Sequence, residues 1–193
     1  MKIGIEQEFI FKDDDNNYLD FSNTSYNDFQ IVVDNFPAYR SDNSILECKS
    51  LESVPKRCYV EGFERYDNNG KLLETIPKAL EIRTPPFENI NKLINNFASS
   101  YNKMIKIASS FGLFPILTSF NPFKNNNNVE ELLKHQNING RSERDLEIAK
   151  NSFLSNGLHV NISDKENINL QDIAEKLNFY LPYNTLWLFI TIL

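Results

Sequence analysis

The chain has 193 residues, 41% of them hydrophobic and 24% charged, so it can bury a core and is not wholly disordered. Its formal net charge is −6, from 20 Lys and Arg against 26 Asp and Glu. An acidic chain lacks the basic field that binds nucleic acid or an anionic membrane surface, so we expect neither partner. The two cysteines, Cys48 and Cys58, are too few for a disulfide scaffold and form no zinc motif, which favours reduced thiols.

The N-terminal half is predicted to be mainly strands. Residues 2–12 alternate between an apolar face (Ile3, Ile5, Phe9 and Phe11, with Gln7 the exception) and a second face (Gly4, Glu6, Glu8 and Ile10). Weaker strand signals cover residues 28–33 and 45–49. Residues 59–65 and 71–74 flank a turn at 67–70 and predict a hairpin. A further strand over 78–84 ends at Pro85 and Pro86, because proline cannot donate to a strand ladder.

The second half mixes helices with strands. Apolar residues at three- and four-residue steps predict a long amphipathic helix from Ile90 to Phe111, ended by Gly112. We expect a short buried strand over 113–119, an exposed loop at 125–128, helices over 129–136 and 142–154, a strand over 157–163 and a last helix over 170–181. With no repeat or linker, this order predicts a single domain over residues 1–193, of the α+β class, with a largely antiparallel sheet and helices packed on one face.

Three predicted strands place chemically active side chains on their non-core faces: Glu6 and Glu8 on the first, Glu81 and Arg83 on the second, and His159 and Asn161 on the third. One interpretation is the ordinary polar face of a one-sided antiparallel sheet, which needs no function. The choice of residues favours another, because neighbouring carboxylates repel and Glu is depleted in strands. Clustered Glu with one His matches what a hard divalent cation binds. His135, on the polar side of a predicted helix, is interpreted as a surface residue.

The motifs resemble those of the carboxylate–amine ligases of the glutamate–cysteine ligase type. Residues 4–9 (GIEQEF) look like the opening strand of that family, residues 80–84 (LEIRT) like its L-E-[IL]-x-T strand, and residues 157–161 (GLHVN) like its G-x-H-V-H strand. Residues 179–188 are similar to the helix that follows. The order agrees with that of the family, and the spacing agrees roughly, but the similarity covers only about the first half of such a ligase.

The resemblance implies a glutamine synthetase-like catalytic sheet and an ATP-dependent ligase. Such an enzyme joins the γ-carboxylate of glutamate to an amine, with cysteine as the first candidate, through an acyl-phosphate. Glu6, Glu8, Glu81 and His159 are then expected to hold Mg²⁺ near the phosphates of ATP. Arg83 contacts a substrate carboxylate or phosphate in one interpretation and forms a structural ion pair in the other. Asn161 stands where the family has a second histidine, at a position we connect with the nucleotide.

The C-terminal residues leave a choice between catalysis and another role. Residues 183–193 are strongly apolar, and the family's later strands, with their own Glu and Arg residues, are missing. We therefore expect the N-terminal portion of a ligase, with a missing C-terminal half or a second chain covering this segment, and ligase activity if the chain is completed in this way. The alternative is a non-catalytic truncated homologue or an interaction module that uses the apolar segment. A related ligase for other substrates is a third interpretation. The acidic N-terminus is unlike a signal peptide, which predicts a soluble, cytoplasmic protein.

Overall fold

In a computed structural model, the structure describes residues 2–21, 23–39, 56–66, 71–119 and 155–163. Six strands and two helices form this part of the chain. The strands are β1 (Lys2–Lys12), β2 (Tyr18–Leu19), β3 (Cys58–Tyr66), β4 (Leu72–Arg83), β5 (Phe114–Ile116) and β6 (Leu158–Ser163), and the helices are α1 (Tyr26–Asn35) and α2 (Ile90–Ser109). The strands belong to one sheet in which every described pair is antiparallel, and this confirms the predicted combination of helices with an antiparallel sheet.

Strand β1 is the centre of the sheet. It pairs with β4 through residues 6–9 and with β6 through residues 2–7, and β3 lies beyond β4. Further along β1, Phe11 lies opposite Leu19 of β2 on one side and Pro115 of β5 on the other. The predicted strands over 2–12 and 157–163 are confirmed, and β1 has a strand on both sides at residues 6–7 and 11–12.

The core lies between the sheet and the two helices. Phe9 and Phe11 of β1 are 2% and 0% exposed and pack with Leu80 and Ile82 of β4. The Phe11 ring lies 5.4 Å from that of Phe29 on α1. Both helices contribute buried residues to this same cluster, as predicted for helices packed on one face of the sheet. Because side chains alternate along a strand, burial of these residues leaves the opposite face to their polar neighbours.

The prediction of a strand over residues 28–33 is wrong, because these residues lie in α1. Ser25 caps the helix, and the Asp28 carboxylate accepts hydrogen bonds from the Ser25 backbone N–H at 2.7 Å and the Ser25 hydroxyl at 2.8 Å. The buried residues of the segment, Phe29, Val32, Val33 and Phe36, recur at helical spacing. Capping and one-sided burial therefore outweigh the strand propensity of the β-branched residues.

The predicted hairpin is confirmed, but its strands are longer than expected. The strands predicted over 71–74 and 78–84 are one continuous strand, β4, paired with β3. The register changes from Glu61 opposite Ala79 to Gly62 opposite Pro77, which leaves Lys78 as an extra residue in a β-bulge. A Cβ atom on Gly62 would lie 2.1 Å from the backbone oxygen of Ile76, so only glycine fits at this point of the pairing.

Helix α2 confirms the long amphipathic helix predicted from residue 90. The Asn89 side chain accepts a hydrogen bond from the Lys92 N–H at 3.1 Å and caps the N-terminus. Gly112, which follows the helix, has a φ of +70°, a backbone conformation that favours glycine. The predicted strand over 113–119 is present as the three residues of β5, but its expected burial is wrong, since Phe114 is 41% and Leu117 is 68% exposed.

Several predicted elements lie outside the described residues: the strand at 45–49, the turn at 67–70, the loop at 125–128, the helices at 129–136, 142–154 and 170–181, and the apolar segment 183–193. Cys48 and His135 also lie outside them. Cys58 is a free, buried cysteine, and burial raises the pKa of its thiol to about 12. Neither of the two described helices has the length and apolar character needed to cross a membrane.

Candidate metal centre

The three strands that carry the motifs lie side by side, with β1 between β4 and β6. In the register of the sheet, Glu6 lies opposite Arg83 on one side and His159 on the other. Glu8 lies opposite Glu81 of β4. Directly opposed residues in an antiparallel pair have their side chains on the same face, so these motif side chains share the face that is turned away from the helices.

Three of the predicted metal ligands come together on this face. One ligand atom each from Glu6, Glu81 and His159 lies within 4.8 Å of the other two. The Nδ1 atom of His159 is 3.4 Å from Oε2 of Glu6. The side chains of Glu6 and His159 are each 25% exposed, whereas that of Glu81 is 3% exposed, so the cluster is open to solvent on one side and closed at its base.

Arg83 supplies the positive charge nearest to these carboxylates. Its Nε atom pairs with Oε1 of Glu81 and lies 3.5 Å from Oε1 of Glu6. The guanidinium group lies over the ring of Tyr59, 5.0 Å from the ring centroid. Of the two interpretations of Arg83, the structure shows the ion pair, and contact with a substrate stays a prediction.

The pKa of the Glu81 carboxyl group lies near neutral pH. Burial raises its pKa to about 7, and the nearby charges of Glu61 and Glu6 act in the same direction. The positive charge of Arg83 opposes them and lowers the pKa. A buried carboxyl group next to two other acids keeps its proton to higher pH than an exposed one, because its charged form loses hydration and is repelled by the neighbouring carboxylates.

Glu6 and His159 shift each other's pKa in opposite directions. The hydrogen bond from His159 lowers the pKa of Glu6, and the charge of Arg83 and a hydrogen bond from Asn161 add to this effect against the opposing effect of burial. The same hydrogen bond raises the pKa of His159. Asn161, which we expected to contact the nucleotide, therefore lies next to Glu6. The Glu6 and His159 side chains together place a negative carboxylate beside an imidazole that readily holds a proton.

Glu8 lies on the same face but outside this group of three. Its two carboxylate oxygens lie 2.9 and 3.1 Å from Nζ of Lys78, and one of them also accepts the N–H of Gly157 at 2.9 Å. Glu8 therefore has partners of its own, and its expected role as a metal ligand stays a prediction.

Lys78 and Glu61 are partly buried ionisable residues that the sequence pattern does not indicate. Lys78 reaches this face because it occupies the bulge next to Pro77, and a proline inside a strand is the signal that could have indicated a bulge. Burial raises the pKa of Glu61, and the charge of Glu8 raises it further. Glu61 gives no comparable signal, since strand β3 alternates weakly in sequence.

The donor atoms of the cluster suit a divalent cation. Two carboxylates and one imidazole can each supply one ligand, and Mg²⁺ or Mn²⁺ takes further ligands from water and phosphate oxygens. The same residues could form an ordinary buried ion-pair network with Arg83. A comparison of the sequence with protein-family models and with curated proteins found no match.

Proposed function

We propose that this face of the sheet binds Mg²⁺ in an ATP-dependent ligase that joins the γ-carboxylate of glutamate to an amine. The observation that carries the proposal is the convergence of Glu6, Glu81 and His159, each from a different motif and a different strand. The motifs are separated by about 75 residues of sequence each, yet their polar residues occupy one cluster. A solvated sheet face needs no such grouping of carboxylates around an imidazole.

Three residues of the chain would ligate the cation. Glu6 and Glu81 provide carboxylate oxygens for the cation, and His159 provides a ring nitrogen once it has lost its proton. A bound Mg²⁺ neutralises phosphate oxygens and so favours phosphoryl transfer to a carboxylate. In a protein with a net charge of −6, a cation at this site also makes binding of a triphosphate electrostatically feasible.

Arg83 and Asn161 would act on the anionic substrates. Arg83 carries a guanidinium group next to the cluster, and such a group binds carboxylate or phosphate oxygens through charge-assisted hydrogen bonds. Asn161 has an amide that can donate to a phosphate oxygen and accept from a donor, although it carries no charge. In this proposal the antiparallel sheet is the catalytic sheet of the glutamine synthetase type, with the helices on the face opposite the metal.

Binding and turnover test the proposal separately. Titration calorimetry with Mn²⁺ or Mg²⁺, and then with ATP, should show saturable cation binding that strengthens the binding of ATP. Release of ADP should depend on glutamate together with cysteine or another amine. Glu6→Gln and Glu81→Gln should abolish the cation binding, whereas Glu88→Gln, the same change at an exposed position, should leave it intact.

Two results would count against this function. Cation and ATP binding that are unchanged in Glu6→Gln and Glu81→Gln would show that the metal lies elsewhere. A folded chain that binds neither Mg²⁺ nor ATP would favour the alternative of a non-catalytic homologue.

A further inference from the structure

A second polar cluster lies beside the candidate metal centre and contains Glu8, Lys78 and Gly157. Glu8 and Lys78 form a largely buried ion pair, with side chains 7% and 11% exposed and the closest atoms 2.9 Å apart. Burying two charges costs hydration free energy, and removing one member of such a pair is also costly, because the remaining charge has no partner. Its position is therefore well determined.

Glu8 of this ion pair and the neighbouring Gln7 form hydrogen bonds with the peptide groups of Gly157. The N–H of Gly157 donates to Oε2 of Glu8 at 2.9 Å, and its carbonyl oxygen accepts from the backbone N–H of Glu8 at 3.2 Å. The Gln7 side chain donates to the same carbonyl at 3.1 Å and to the Glu8 carbonyl at 2.9 Å. Three hydrogen bonds thus join Gly157, at the start of β6, to β1, and the fourth orients the Gln7 side chain within β1.

Gly157 in turn lies against the imidazole of His159. A Cβ atom at position 157 would lie 3.0 Å from Nε2 and 3.2 Å from Cδ2 of that ring. The ring therefore occupies the space that a side chain would take, with its Nδ1 atom 3.4 Å from Glu6. The Gly157 backbone therefore borders the space that the imidazole occupies.

We propose that Glu8 is a positioning residue, which fixes Gly157 and through it the imidazole of His159. Lys78 balances the charge of Glu8, and the bulge in β4 is what brings Lys78 to this face. The effect on metal binding rests on the proposed function, but the effect on the ring of His159 does not. Hydrogen-bond partners that orient a metal ligand typically contribute about 10- to 100-fold to metal affinity.

Two double variants separate a positioning role from direct ligation. Both carry Lys78→Met, which removes the buried ammonium group that would otherwise lack a partner. Glu8→Gln keeps a carbonyl oxygen that can accept the Gly157 N–H but loses the negative charge, whereas Glu8→Leu loses both. The two readouts are the affinity for Mn²⁺ by calorimetry and, without metal, the nuclear Overhauser contact between the Gly157 Hα and the His159 ring.

We expect the Gln variant to keep the ring contact and to bind Mn²⁺ within about threefold of the wild type. The Leu variant should lose the ring contact and bind Mn²⁺ about tenfold more weakly at unchanged stoichiometry. Only two histidines, His135 and His159, are present, so a His135→Gln reference assigns the ring signals.

Other outcomes overturn the proposal. Loss of Mn²⁺ binding in the Gln variant, as complete as in Glu81→Gln, would make Glu8 a direct ligand. An unchanged ring contact in the Leu variant would show that Glu8 does not position the imidazole. If the Leu variant does not fold, Glu8→Ala with Lys78→Met, which also lacks an accepting oxygen, takes its place, and loss of the ring contact in the Gln variant overturns the proposal in either case. If the wild type binds no Mn²⁺, the proposed function fails, and the metal-free ring contact still decides the role of Glu8.

Discussion

Replacing Glu81 by Gln should stabilise the metal-free protein at alkaline pH. Burial raises the pKa of this carboxyl from 4.5 to about 7. Below pH 4.5 the group is neutral in the folded and unfolded chains. Between about 4.5 and 7 the folded protein holds a proton that the unfolded chain has released, so the stability that the neutral group contributes is lost as the pH rises through this window.

The size of the effect follows from the same pKa. At about 1.4 kcal/mol per pH unit, the loss amounts to about 3 kcal/mol once Glu81 is ionised in both states. Gln resembles the neutral carboxyl and does not ionise. Glu81→Gln should therefore match the wild type at pH 4 and exceed it by about 3 kcal/mol at pH 8.5. For a domain of this length that corresponds to roughly 6–12 °C in Tm.

Thermal unfolding in the presence of a chelator, followed by circular dichroism from pH 4 to 8.5, measures this difference. Glu88→Gln is the matched control, because it makes the same change at an exposed position and should follow the wild type closely at every pH. A constant difference in Tm between Glu81→Gln and the wild type across the pH range would contradict this prediction, because it would mean that Glu81 titrates alike in the folded and unfolded chains.

Three further substitutions test the electrostatics and the packing. Arg83→Gln removes the cation that lowers the pKa of Glu81, so the loss of stability on raising the pH should extend to higher pH. A pH dependence of the unfolding free energy that is unchanged from the wild type would contradict the ion pair. Gly62→Ala places a Cβ atom 2.1 Å from the Ile76 oxygen and should cost more than about 2 kcal/mol in guanidinium unfolding, whereas a change within about 0.5 kcal/mol would contradict the pairing of β3 with β4. Phe11→Ala empties a fully buried position and should cost about 3–5 kcal/mol by the same measurement; a loss below about 1 kcal/mol would contradict its place in the core.

Much of the candidate site could be predicted because successive side chains of a strand point to opposite faces of the sheet. The two-residue period of β1, β4 and β6 already separates the apolar side chains from Glu6, Glu81 and His159. The two-residue period does not predict the register between strands. A shift of one strand by two residues keeps each side chain on the same face but places it opposite a different partner. For this reason the sequence could not distinguish Glu6, which lies with His159, from Glu8, which pairs with Lys78.

The helix α1 was missed although its sequence contains the signal for it. Ser25 and Asp28 have the spacing of a capping box, and Phe29, Val32 and Val33 repeat at helical intervals. The run of β-branched residues favours a strand only when the flanking residues and burial do not oppose it. The bulge at Lys78 could not have been located, because its position depends on the pairing of β3 with β4, which involves residues far from it in sequence.

A crystal structure of the chain grown with Mn²⁺, with anomalous diffraction used to locate the cation, tests the metal site most directly. Metal binding at this cluster predicts an anomalous peak ligated by Glu6, Glu81 and His159, with Glu8 still paired to Lys78. Saturating Mn²⁺ that gives no peak at this cluster, with Arg83 still bound to Glu81, would contradict it and leave the cluster as an ion-pair network.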